Sequence, residues 1–274
     1  MPALPPPVLL APEALPELAA SADVLLLDMR EPDAYAAGHL PGAVNLPYLT
    51  LVREAPPAAG FAPYPDVLAD CLGRVGYSPQ RCVVGCDEGI SGKAGRLLWT
   101  LAAIGHPGGM ALIDGGVPAA LDAGLPLADD WVEVEPRTLE LAYTAGARVM
   151  ADREWVLAHL GDPSVLLLDT RTSGEYTGQD RRAARGGHIP GAVHLDWTRA
   201  FDPQTGRCKP EAVLRAQFEA VGATPDREIV VYCQTHHRSA HTWAVLTHLG
   251  YPRVRGYAGA WSEWGNTPGL PIET

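Results

Sequence analysis

The chain repeats itself, and that repeat constrains its fold more than any other feature. Residues 24–46 read VLLLDMREPDAYAAGHLPGAVNL, and residues 165–195 read VLLLDTRTSGEYTGQDRRAARGGHIPGAVHL. Asp28 and Asp169 stand 141 residues apart. His39 and His188 stand 149 apart, because the second copy carries eight additional, arginine-rich residues. Shared order over such a span points to an internal duplication and two units of similar build.

Each copy opens on VLLLD, a short aliphatic run ending in a polar residue, which predicts a buried parallel strand. GHLPGA and GHIPGA mark turns, and VNL and VHL predict short strands after them. RCVVGC at 81–86 and EIVVYC at 228–233 are further apolar strands, each ending at a cysteine. The segments KAGRLLWTLAAIGH and SAHTWAVLTHLGY then carry helical patterns. Strands alternating with helices predict an α/β fold: two duplicated domains, each a mainly parallel central sheet flanked by helices. The expected boundaries are 1–126 for the first domain, 127–147 for a linker and 148–274 for the second. Within the linker, the alternation of WVEVE at 131–135 predicts an edge strand.

Composition narrows the function. With 21 basic and 32 acidic residues the net charge is -11, which argues against a nucleic-acid partner. Residues 1–137 hold 7 basic and 17 acidic groups, against 14 and 15 in residues 138–274, so the second half suits an anionic substrate better. No run approaches the length of a membrane span, and the opening MPALPPPVLL has no basic flank of the signal-peptide kind. Five scattered cysteines do not suggest a disulfide scaffold, and Cys82 and Cys86 lack a second pair at zinc spacing. A cytoplasmic chain without metal or organic cofactor is the expectation.

One thiol stands apart. Cys233 ends a predicted strand, and CQTHHRS from Cys233 to Ser239 leads into a helix. The carboxyl edge of a parallel sheet is where α/β proteins bind ligands. A loop wound into a helix N-terminus turns backbone N–H groups inward, which favours an anion and lowers a cysteine pKa. Arg238 adds a fixed charge with forked donors, and Ser239 is placed to donate to the thiolate or to cap the helix. His236 and His237 are expected to add positive potential near neutral pH, without acting as general bases. Four residues separate Cys233 from Arg238, one fewer than in the cradle of cysteine phosphatases, so the loop hugs the sulfur more closely.

GHIPGAVHLDW at 187–197, YCQTHHRSAHTW at 232–243 and GYAGAWSEWGN at 256–266 resemble the tandem-domain rhodanese family of sulfurtransferases, over essentially the whole chain. The CQTHHRS loop is similar to that of bacterial thiosulfate:cyanide sulfurtransferases, and it departs from the loops of animal rhodaneses and mercaptopyruvate sulfurtransferases. The resemblance implies that Cys233 takes the outer sulfur of thiosulfate. The loop residues Gln234, Thr235, His236, His237, Arg238 and Ser239 then hold the persulfide, and cyanide, a thiol or a protein acceptor removes the sulfur. It also implies that Trp197 walls the site mouth, with packing as the alternative, and that the first domain is non-catalytic. Transfer from 3-mercaptopyruvate and a pure persulfide-carrier role are the competing functions.

In the first half Cys86 is followed by Asp87 and Glu88, which would repel an anion. Cys86 is read as structural, near a position where relatives carry aspartate. Arg96 is expected to pack or pair between the domains. Asp28 with Arg30, Asp169 with Arg171, and His39 and His188 recur in both halves and are read as turn-stabilising residues. Arg181, Arg182 and Arg185 of the insert are candidates for steering anions to the site.

Overall fold

Both VLLLD runs become strands buried on both faces. In the computed structural model, which describes residues 8–20 and 23–274, Leu25 and Leu27 enter one apolar core while Leu26 enters another. Leu166 and Leu168 likewise face away from Val165 and Leu167. A continuous aliphatic run is what such a two-sided position requires. The opening residues Met1–Pro7, read above for a targeting signal, lie outside the described residues.

The first half contributes β1 (Val8–Leu10), β2 (Val24–Asp28), β3 (Val44–Asn45), β4 (Arg53–Ala55), β5 (Ala58–Phe61), β6 (Cys82–Cys86) and β7 (Met110–Ile113). The second contributes β8 (Met150–Ala151), β9 (Val165–Asp169), β10 (Val193–His194), β11 (Glu228–Tyr232) and β12 (Val254–Tyr257). The sheet orders, β1-β7-β6-β2-β3 and β8-β12-β11-β9-β10, are the same order twice, and every pair in both sheets is parallel. The antiparallel hairpin β4–β5 is reduced in the second half to a single antiparallel bridge between Phe201 and Cys208.

Two helices lie between the sheets, Lys93–Ala103 and Arg238–His248. They pack on each other, and both are almost wholly buried. A Cβ added at Gly95 would sit 2.6 Å from the Cα of His241, so glycine is what allows this approach. One core runs through the contact, joining Leu97, Leu98 and Trp99 to Trp243, Ala244 and Leu246. Each fully buried large apolar side chain contributes ~1.5–3 kcal/mol, so the halves are held together by core packing.

The 131–135 segment does not form the expected strand. Val132 and Val134 do turn toward the first sheet, lining a groove with Val24, Leu25 and Val75, while Trp131 is 81% exposed. The alternation is present, but the segment crosses the surface without a backbone ladder. Its nearest anchor is the Arg137 N–H, which donates to Gly73 O at 2.9 Å.

The turn residues take the structural roles expected of them. Arg30 and Arg171 each fold back on Asp28 and Asp169, with Nη2 to Oδ2 at 2.6 Å, and each also reaches a turn carbonyl, that of Gly38 or Gly187. His39 stacks on Tyr35 and His188 on Tyr176. Among the described residues no helix is long and apolar enough to cross a membrane.

Candidate active site

β11 ends at Tyr232 and the next helix begins at Arg238, so Cys233–His237 is a five-residue arc at the carboxyl edge of the sheet. Its carbonyls are tied outward. The N–H groups of Trp261 and Ser262 donate to the Cys233 and Gln234 carbonyls, both at 3.0 Å. Because a trans peptide points its N–H opposite its C=O, the loop amides turn inward. His236 adopts φ 58, a left-handed conformation that costs a non-glycine residue ~1 kcal/mol or more and tightens the arc.

The Cys233 sulfur is fully buried. Burial alone would push the thiol pKa up. The Arg238 guanidinium, the Ser239 hydroxyl and the amides of Ser239 and Thr235 outweigh it and hold the thiol below its ordinary value. The other four cysteines are pushed up by burial. Ser239 thus donates to the sulfur, and its hydroxyl also lies 2.7 Å from His236 Nδ1.

Arg238 is held by a residue that the sequence reading did not single out. Glu175, whose side chain is fully buried, accepts from Arg238 Nη1 at 2.7 Å and Nη2 at 2.9 Å. The same carboxylate closes a capping box with Thr172. Burial would raise its pKa, but Arg238 and the Thr172 donors lower it to about 2. A signal was available in the repeat. Glu175 aligns with Ala34, and the first loop has no arginine at the place of Arg238, so both partners are missing together.

The two loop histidines do not add positive charge at neutral pH. Burial, then Arg96 and His237, drive His236 well below its ordinary value. Burial, then Arg238 and Arg96, lower His237 to about 4. Both are uncharged at neutral pH because burial disfavours their charged forms, and the nearby Arg96, joined at His237 by Arg238, adds to that effect.

Trp197 lies edge-on to Phe201 at 5.3 Å and to His241 at 5.8 Å, beside the first turn of the Arg238–His248 helix. Its counterpart in the repeat is Tyr48, another residue that the sequence reading passed over. Tyr48 reaches across from the first half, 5.9 Å from the His237 ring, and its hydroxyl bonds the Thr235 side chain. Burial and the nearby Cys233 sulfur push Tyr48 up to about 12, against the lowering effects of Arg96 and Thr235. Gln234 donates to the Arg182 carbonyl at 3.1 Å, and the Arg182 side chain is more than half exposed there, 3.6 Å from Glu175. Arg181 bonds the Ala183 carbonyl. Arg185 is taken up by the carbonyls of Trp264, Thr267 and Leu270, which fasten the C-terminal segment.

The first half corrects the placement of Cys86. In the sheet register Cys86 pairs with Asp28 as Tyr232 pairs with Asp169. The counterpart of Cys233 is therefore Asp87. Its carboxylate accepts from the amides of Gly89 at 2.8 Å and Ala94 at 3.0 Å, filling its own anion cradle. Cys86 is a strand residue with a fully buried thiol, and burial, then Asp28 and Asp87, push it well above its ordinary value.

The molecule is thus a duplicated α/β protein in which one cradle holds an ionisable sulfur and the other is plugged by a carboxylate. The rhodanese-like domain matches residues 11–123 and 152–267, and the chain belongs to that family. It is 37% identical over 267 residues to a thiosulfate sulfurtransferase of Azotobacter vinelandii, covering 97% of each chain. A thiosulfate sulfurtransferase of Pseudomonas aeruginosa is 36% identical over 273 residues, again with 97% of each covered. The sulfur carrier protein TtuD of Thermus thermophilus is 34% identical over 250 residues, covering 87% of this chain and 86% of that one. The fold also matches the anaerobic ergothioneine biosynthesis enzyme of Chlorobium limicola, with a TM-score of 0.85 at 22% identity, covering 97% of this chain and 70% of that one.

Proposed function

We propose that the protein is a thiosulfate sulfurtransferase working through a persulfide on Cys233. The observation that carries the reading is the buried Cys233 sulfur at the start of the loop that leads into Arg238 and Ser239, where Arg238, Ser239 and the loop amides lower its pKa. The thiolate attacks the outer sulfur of thiosulfate. A new S–S bond forms, the old one breaks, and sulfite leaves with the bonding electron pair. The loop residues Gln234 to Ser239 hold the persulfide, with Thr235 and Ser239 amides at the inner sulfur and Arg238 matching the anionic donor. Trp197 and Tyr48 flank the arc. Cyanide or a thiol then attacks the outer sulfur, and the Cys233 thiolate is the leaving group.

Residues 1–126 form the non-catalytic domain in this reading, 127–147 the linker and 148–274 the catalytic domain. Support comes from Asp87, which stands where the second domain has its nucleophile. Five free thiols suit a reducing, cytoplasmic setting. Similarity to the Thermus sulfur carrier favours a protein acceptor as the second reading, and the same persulfide would serve it.

The test is thiocyanate formation from thiosulfate and cyanide, run beside 3-mercaptopyruvate as donor. Thiosulfate should be preferred, and intact mass after thiosulfate should rise by one sulfur. Cys233→Ser should abolish both results while Cys86→Ser keeps them. A sulfur adduct that survives on the Cys233→Ser protein would sink the assignment.

A further inference from the structure

Arg96 is a cation from the half that lacks the nucleophile, and its side chain is completely buried. No carboxylate pairs with it among the described residues. Its guanidinium instead spans three carbonyls, donating to His236 O at 3.3 Å, Leu51 O at 3.1 Å and Phe61 O at 3.0 Å, and it lies over the Trp99 ring at 4.7 Å. Its Nε has no partner. A buried cation without a counter-ion costs several kcal/mol, so its retention calls for a compensating interaction.

The His236 carbonyl supplies the geometry. This is the one bond from Arg96 into the catalytic loop, and it falls on the residue with the left-handed backbone. Pulling that carbonyl toward Arg96 turns the N–H of the same peptide, that of His237, to the opposite side. The first half presses on the neighbouring peptide as well. A Cβ at Gly60 would meet the Thr235 carbonyl oxygen at 2.6 Å, so the β4–β5 hairpin backs directly onto the loop. The second half ties the Cys233 and Gln234 carbonyls with Trp261 and Ser262. The arc is therefore held from behind by both halves. Only the first half brings a charge to that task, and a cation on a carbonyl polarises the peptide so that its N–H donates more strongly.

We propose that Arg96 is a positioning residue for the reaction at Cys233: by fastening the His236 carbonyl it holds the left-handed turn that lies between the Thr235 and Ser239 amides and so sets their approach to the sulfur, which makes the domain without a nucleophile a working part of the site. This rests on Cys233 being the nucleophile. The electrostatics agree, since the anionic forms of Tyr48, Tyr143 and Cys233 counter the burial that lowers the Arg96 pKa.

The experiment is an ultraviolet titration of thiolate below pH 9 on the full chain without sulfur donor, so a failure of sulfur transfer cannot be confused with a failure of this inference. The four other thiols are shifted upward, so the step at lowest pH belongs to Cys233. In Arg96→Met the Cys233 titration should move up by about one pH unit. Arg96→Lys keeps charge but loses the fork, so it should titrate between the two. Thr144→Val removes a bond from Thr144 to the Ile104 carbonyl at the far end of the same helix. It should lower stability and leave the titration in place. An unmoved titration in folded Arg96→Met, or an equal shift in Thr144→Val, overturns the proposal. If Arg96→Met does not fold, Arg96→Lys decides alone, and an unmoved titration there has the same consequence.

Discussion

Glu175→Gln isolates the ion pair that steadies the site. The glutamine keeps the size of the side chain and can still complete the capping box with Thr172, so helix capping is not what changes. What is lost is the charge opposite Arg238, whose side chain is only 13% exposed, in a two-point contact of 2.7 and 2.9 Å. Removing one member of a buried pair costs ~3–5 kcal/mol, because the survivor is left uncompensated. The remaining amide oxygen still accepts one bond, so the expected loss is at the lower end, ~3 kcal/mol. Chemical denaturation reads it directly. Arg238 also loses its orientation toward the sulfur and the donor. One charge-assisted hydrogen bond contributes ~1.5–3 kcal/mol, so thiocyanate formation should fall roughly tenfold to a hundredfold. The Glu175→Met, Arg238→Met double variant separates the effects, since an apolar pair can replace a buried ion pair without loss of stability but cannot serve an anion. It should recover stability and remain inactive. Wild-type stability and turnover in Glu175→Gln would refute the reasoning.

The same carboxyl gives a pH prediction. Its folded pKa of about 2 lies below its ordinary 4.5. The stabilisation is complete above pH 4.5 and is lost as pH falls through about 2, so acid unfolding of the wild type should steepen in that window and Glu175→Gln should lack the component. Gly95→Ala should destabilise the protein, although alanine is ordinarily better by ~1 kcal/mol in a helix interior, because its Cβ meets the His241 backbone; a rise in thermal midpoint would count against the close helix contact. Asp87→Ala should cost ~1–3 kcal/mol by leaving the Gly89 and Ala94 amides without their acceptor, with thiosulfate turnover unchanged; loss of turnover would give the first cradle a part in the reaction.

Local pattern and repetition determine much of this protein. The doubled VLLLD runs announced two parallel sheets, since a strand covered on both faces must be apolar at every position. The CQTHHRS loop announced an anion cradle, because a strand end, a cysteine and a helix start within seven residues leave the chain little choice of geometry. Other features depend on which distant segments meet. Glu175 finds Arg238 63 residues away, Tyr48 and Arg96 reach the loop from the other half, and Asp87 rather than Cys86 proves to be the counterpart of Cys233 only through sheet register. WVEVE had the alternation of a strand but found no ladder. Periodicity reports which side chains turn inward, whereas partners for a buried charge or a backbone hydrogen bond are supplied by the assembled tertiary structure.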